Sequence, residues 1–192
     1  MNTVDPIKRP EKILAIKRLL MAEPNPRNYL LFTFGVNSAL RSSDLRNLKL
    51  SDVIDDKGDI KKYLYMRVKK TGREMKIFIN EAMKEALKYY LKKGKVYSPD
   101  QYLFKSKRSD KPLSNVDLFY LMKSWTQAVG LINERYSAHS LRKTWGYQAR
   151  KFHGASIEMI AEKLGHASSN VTKRYIGIDQ EEINKMEEEI CI

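Results

Sequence analysis

Apolar residues recur at helical spacing along most of this chain and alternate at strand spacing in one short stretch. Residues 11–21 (EKILAIKRLLM) place Ile13, Ile16 and Leu20 on one helical face with Leu19 beside them, and Pro24 and Pro26 then break the pattern. A second helix is predicted from about Arg27 towards Ala39. Ser42 or Ser43 is a candidate N-cap for a short third helix through Leu45 and Leu48, which leaves Arg41 at a helix junction, where side chains are exposed.

Between 62 and 79 the period changes to two: Leu64, Met66 and Val68 alternate with Tyr63, Tyr65 and Arg67, and Ile77 and Ile79 with Lys76 and Phe78. KTGR at 70–73 supplies a glycine turn, so this is a β-hairpin with a basic tip, Lys69, Lys70, Arg73 and Lys76 standing against Glu74. Asn80 can cap the next helix, with Met83, Leu87, Tyr90 and Leu91 as its apolar face and Gly94 as its end. A polar, Lys-rich connection is expected over 95–111. Ser114 or Asn115 opens a helix through Leu118, Leu121, Met122 and Trp125, and a loop follows at 130–137. The remainder is helical in pattern, with caps near Ser137 and Ser156, a stop at Gly165, a start near Ser168 or Ser169, and a final amphipathic piece using Ile183, Met186 and Ile190. The expected architecture is one mainly α unit with a small antiparallel β-sheet, without repeats or linkers.

Composition sharpens the choice of partner. With 42% apolar residues, 192 residues can bury a sizeable core. The 36 Lys and Arg against 23 Asp and Glu leave a charge of +13, which suits a polyanionic partner, nucleic acid first, and equally a merely solvated lysine-rich surface. The last twelve residues are acidic, five Glu against one Lys, so the excess on the rest of the chain is larger still. A single cysteine, Cys191, excludes an intrachain disulfide and suits a reducing compartment. The start of the chain has no apolar signal region, and YLLFTFGV at 29–36 is too short to span a bilayer, so a cytoplasmic protein without membrane contact is expected.

Four pieces carry candidate chemistry: LRSSDL at 40–45, KTG at 70–72, HSLRKTW at 139–145 and LGHASSNVTKRY at 164–175. Each alone has an ordinary structural explanation. Arg41 would be a surface ion-pair partner and Lys70 a solvated charge; His139 and Arg142 would be a cap and a surface arginine sharing a helix face; His166 would be a partner for a helix C-terminus and Tyr175 a core anchor.

Taken in order, the four pieces resemble the tyrosine recombinase (phage integrase) family, whose pattern is an Arg-x-Ser-Glu or similar, a hairpin Lys before a Gly turn, His-x-x-Arg, Leu-Gly-His and a tyrosine about nine residues later. The likeness covers about residues 10–180. It implies the catalytic-domain fold of that family, a 3′-phosphotyrosine intermediate, double-stranded DNA as substrate, and a homo-oligomer on DNA, a tetramer, with no small-molecule substrate. Asp44 stands where the family more often has Glu, and Trp145 is read as core. Family members usually carry an N-terminal helical DNA clamp, whereas here the catalytic pattern begins almost at once, so a clamp is expected to be absent. The acidic tail from 181 to 192 is expected to dock on a neighbouring protomer or to cap its own domain.

The residue types fit the implied reaction. A tyrosine with an unperturbed pKa of about 10 needs a base or strong positive potential, and His139, near 6.5, is the best candidate base. Arg41 and Arg142 can hold the non-bridging phosphorane oxygens, with His166 as a third donor. Only lysine or histidine can protonate the leaving 5′-oxygen; the resemblance gives Lys70, with Lys69 as rival. Lys69, Arg73, Lys76, Lys143, Lys173 and Arg174 are the expected DNA contacts. No cofactor is expected, since His139, His153 and His166 lack a zinc-type spacing with Cys191. Two alternatives are a type IB topoisomerase, against which the Leu-Gly-His and the short length speak, and an idle DNA-binding module, against which the intact pattern speaks.

Overall fold

The computed structural model describes residues 4–68, 72–93, 98–133, 135–176, 184 and 187–190, among which lie nine helices and one two-stranded sheet. Its centre is α2 (Pro26–Ser38), where Pro26 occupies the first turn, needing no N–H there. Every residue from Arg27 to Gly35 is buried, as expected of a helix that is covered on all sides. Its neighbours are α1 (Pro10–Ala22), α5 (Glu81–Lys93) and α7 (Ala138–His153). The approach to α7 requires a glycine, because a Cβ on Gly35 would lie 2.6 Å from Leu141 Cδ1.

The main core gathers around this helix. Phe32 meets Trp125 of α6 (Asn115–Ala128) edge-on at 5.9 Å, and Phe34 meets Phe104 at 6.3 Å. Each such ring contributes roughly 1.5–3 kcal/mol by leaving water. Ser114 caps α6 by accepting the Asp117 N–H at 3.0 Å, and Asn80 caps α5 by accepting the Met83 N–H at 3.0 Å. The 95–111 connection differs from expectation in its described part. Leu103 and Phe104 are fully buried, and the Leu103 N–H donates to the Leu48 carbonyl at 2.7 Å. Lysine-rich composition hid an apolar dipeptide that pins the loop.

The hairpin forms as its alternation requires, β1 (Tyr63–Arg67) against β2 (Glu74–Phe78), in antiparallel register from Tyr63↔Phe78 to Arg67↔Glu74. Leu64 and Ile77 enter the core, while Tyr65, Lys76 and Phe78 face outward. The tip candidates Lys69 and Lys70 lie outside the described residues, as do Gly94, Ile183, Met186 and Cys191. Of the acidic tail, Asn184 and Glu187–Ile190 are described and exposed.

A second, smaller core lies beyond α7. Ala39, Ile157, Ile160, Leu164 and Ile176 form it, joining the end of α2 to α8 (Ile157–Leu164) and α9 (Ser169–Ile176). Trp145, read from sequence as core, is only half-buried, packed at the margin of this cluster with Tyr175. Among the described residues no helix is long and apolar enough to cross a membrane.

Candidate active site

Three helix ends converge on Arg142. Ser137 caps α7, its hydroxyl accepting the His139 N–H at 3.3 Å while its own N–H donates to Ser140 Oγ at 3.0 Å. His139 and Arg142 therefore stand one helical turn apart on α7. Arg142 is only 3% exposed. Its guanidinium donates to the Ala39 carbonyl at 2.7 Å and to the Leu164 carbonyl. These acceptors lie two residues before Arg41 and two before His166, so one buried cation fixes both other cationic positions relative to α7.

The chain turns sharply at each acceptor. Ala39 caps α2 in the left-handed region (φ 59), the one non-glycine residue to do so among those described. For an alanine this costs about 1–2 kcal/mol, which the bond from Arg142 and the burial of its methyl group offset. The turn leads directly to Arg41, which is itself the N-cap of α3 (Ser42–Arg46). The cap thus lies one residue before Ser42 and two before Ser43, both of which are helical. Gly165 (φ 61) ends α8 and releases His166 from the helix.

Tyr175 lies on the last turn of α9, half-buried, close enough to the Arg142 guanidinium for that charge to act on its phenol. The His166 ring meets the Tyr175 ring edge-on at 4.8 Å. His166 Nδ1 is 3.0 Å from Thr172 Oγ1, which orients the imidazole. Thr172 sits three residues before Tyr175, hence on the same helix face, and that spacing is the signal that would have marked it.

The electrostatics follow from these neighbours. Burial raises the Tyr175 phenol above its ordinary value, and the opposing charges of Arg142 and Arg41 pull it down. His139 is exposed at the rim of the site, yet partial desolvation lowers it below the ordinary histidine range, and Arg142, Arg41 and Lys143 push the same way. His166 is lowered by burial, then by Arg142 and Arg41. A protonated phenol beside neutral imidazoles and two guanidiniums can lose its proton to a base and deliver an oxygen nucleophile to an anionic centre.

Arg41, His139, Arg142, His166 and Tyr175 are therefore brought together, and Lys70 lies outside the described residues. Arg73, Lys76, Lys173 and Arg174 are exposed, as a backbone contact requires. Lys143 is a correction: it is 6% exposed, with Nζ 5.0 Å from the Tyr175 ring centroid, so it is not a surface contact. Lys163 escaped sequence reading. It is half-buried and lines a depression of about 260 Å³ with Arg41, Arg73, Gly165 and His166.

Comparison with known proteins matches the fold and the family. The fold is that of a solved XerA recombinase (TM-score 0.72, 22% identity, covering 97% of this chain and 64% of that one). It also matches XerH recombinase bound to a palindromic difH substrate (TM-score 0.74, 22% identity, 96% and 52%). In sequence, the probable integrase/recombinase YoeC of Bacillus subtilis is 38% identical over 181 residues, 94% of this chain and 93% of that protein. Tyrosine recombinase XerC of Caldanaerobacter subterraneus is 30% identical over 174 residues, 88% of this chain but 47% of that protein. The chain thus spans nearly all of YoeC and about half the length of the Xer relatives. The phage integrase family's sequence profile matches residues 12–182, and the chain belongs to that family as a tyrosine recombinase catalytic domain.

Proposed function

We propose that this protein cuts and rejoins DNA strands site-specifically, Tyr175 attacking a backbone phosphate to give a 3′-phosphotyrosine and free a 5′-hydroxyl. The observation that carries this is the half-buried Tyr175 ring packed edge-on against His166, with the Arg142 and Arg41 charges acting on its phenol. Attack loads negative charge on the non-bridging oxygens of a five-coordinate phosphorus. Arg41 and Arg142 are placed to donate to them, where one well-aimed donor contributes ~3–4 kcal/mol. His139, neutral near pH 7 by the direction of its shift, takes the phenolic proton. With the Thr172 hydroxyl donating to the Ser168 carbonyl at 3.3 Å, His166 Nδ1–H donates to Thr172 Oγ1, and His166 becomes a third donor through Nε2 once it is protonated beside the phosphate. Lys70 protonates the leaving 5′-oxygen, a role that rests on the family resemblance alone.

Double-stranded DNA is the partner in this reading, by analogy with XerH bound to its difH substrate and a lambda integrase dimer bound to a core site. Arg73, Lys76, Lys173 and Arg174 track phosphates. The protein works in the cytoplasm as a tetramer on DNA, residues 1–180 forming the catalytic unit and the tail from 181 onward docking on the next protomer.

The test is covalent trapping on nicked duplexes, in which the short strand beyond the cut diffuses away and prevents religation. Wild-type protein should accumulate a covalent adduct and Tyr175→Phe none, with DNA affinity unchanged. An adduct that persists in Tyr175→Phe overturns the assignment.

A further inference from the structure

Lys143 is buried beside the nucleophile, and the reaction as described gives it no task. It follows Arg142 on α7, is 6% exposed, and sets its ammonium 5.0 Å from the Tyr175 ring centroid. The same ring meets His166 edge-on. Burying an unpaired ammonium is costly, so a buried lysine needs compensating partners. Here they are the electron-rich ring face and Asp5, whose charge opposes the effect of burial on Lys143.

Asp5 is itself held in place. Its N–H donates to the Arg135 carbonyl at 2.8 Å, and its carboxylate accepts the Arg135 N–H at 2.9 Å. The extended segment that follows is fastened to α7. The Ile7 N–H donates to Thr144 Oγ1 at 2.8 Å, Gln148 Nε2 donates to the Ile7 and Lys8 carbonyls at 3.0 and 2.8 Å, and Ile7 is fully buried. Asp5, Lys143 and Tyr175 therefore form a row from the N-terminal segment through α7 to α9.

We propose that Lys143 is a positioning residue for the nucleophile. Its ammonium holds the Tyr175 ring by a cation–π contact and favours the phenolate, with Asp5 tempering that charge. The role rests on Tyr175 being the nucleophile, and no bond to Lys143 is made or broken. As the phenol loses its proton the ring becomes more electron-rich and the contact strengthens, so Lys143 acts on the transition state more than on the resting protein. Other groups bear on the same phenol: Arg142 from α7, Arg41 from the α2–α3 junction and His166 from the α8–α9 turn. Lys143 is faced by Asp5, by Tyr175 and by His139 on its own helix.

The test follows Tyr175 ionisation by NMR in the full chain carrying ring-13C tyrosine, the Tyr175 signal being assigned by its loss in Tyr175→Phe. Lys143→Met keeps the aliphatic packing and removes the charge. It should weaken the Tyr175 ionisation constant about threefold to thirtyfold. Lys143→Arg keeps the charge and should show no weakening. Asp5→Asn still accepts the Arg135 N–H but removes the countercharge, so it should shift the constant in the opposite direction to Lys143→Met. This sign is readable even if Lys143→Met does not fold. On a nicked duplex where wild type forms its adduct, Lys143→Met should slow adduct formation by a similar factor at neutral pH, Lys143→Arg restoring it. A Tyr175 ionisation constant indifferent to both Lys143→Met and Asp5→Asn overturns the proposal, as does a loss in Lys143→Arg equal to that in Lys143→Met. Absence of any wild-type adduct would refute the functional reading instead, leaving the NMR result to stand separately.

Discussion

Gly146 on α7 lies directly beneath the helix that carries Tyr175, and adding one methyl group there should separate stability from activity. A Cβ at this position would stand 2.6 Å from Ile176 Cγ2. Carbon atoms settle at about 3.5–4.0 Å, so α9 must withdraw by about 1 Å. Ile176 is fully buried and belongs to the small second core, leaving it little room to rotate aside. Overpacking of this kind costs roughly 1–3 kcal/mol, while replacing a helical glycine by alanine returns about 1 kcal/mol. Gly146→Ala should therefore lose only about 0–2 kcal/mol of stability by denaturant unfolding. Its adduct rate should fall about a hundredfold, because a displacement near 1 Å misplaces the reacting oxygen. Adding Ile176→Ala removes the obstructing methyl group and should recover much of that rate, although Ile176→Ala alone leaves a cavity. Wild-type adduct kinetics in Gly146→Ala would refute the reasoning, showing that α9 moves freely without consequence for Tyr175.

The other expectations can be checked with standard measurements. Arg142→Ala removes charged bonds to two buried carbonyls, each worth roughly 1.5–3 kcal/mol, and should destabilise by about 3 kcal/mol after relief of its own desolvation. Arg41→Ala, at a half-buried junction, should abolish cleavage with little change in melting temperature; equal destabilisation in the two would contradict this division. His139 and His166 are both depressed in the folded state, so between those lowered values and the ordinary value of about 6.5 the unfolded chain binds more protons. Stability should therefore fall as pH drops from 7 through that window, and a double glutamine replacement should flatten the dependence. Lys70→Ala should be slow on ordinary DNA and largely rescued by a bridging 5′-sulfur, which leaves without a proton, whereas Arg142→Ala should not be rescued.

Legibility in the sequence followed the range of the interaction involved. Local signals placed α6 behind Ser114, α7 behind Ser137 and α8 behind Ser156, because a cap is decided by a hydroxyl and an N–H a few residues away. Strict alternation placed the hairpin and its inward residues Leu64 and Ile77, while the register came from the structure. The ordered motifs named the five residues that the fold gathers, although they lie far apart in sequence, because their order and spacing matched a known family. What escaped was long-range. Nothing local distinguishes Lys143, buried beneath Tyr175, from the exposed Lys173, since burial depends on where α9 and the N-terminal segment pack. Leu103 and Phe104 were hidden by the lysines around them, and the left-handed turn at Ala39 carries no glycine to announce it.

If Tyr175 is the nucleophile, it becomes covalently joined to DNA. The most direct measurement is mass spectrometry of the trapped adduct after nuclease and trypsin digestion. Cleavage after Arg174 leaves a peptide that begins at Tyr175 and ends at Lys185. This peptide should carry the residual nucleotide phosphate on its first residue. A nucleotide on the peptides holding Tyr136 or Tyr147, or an unmodified Tyr175 peptide from an adduct that is otherwise intact, would contradict it.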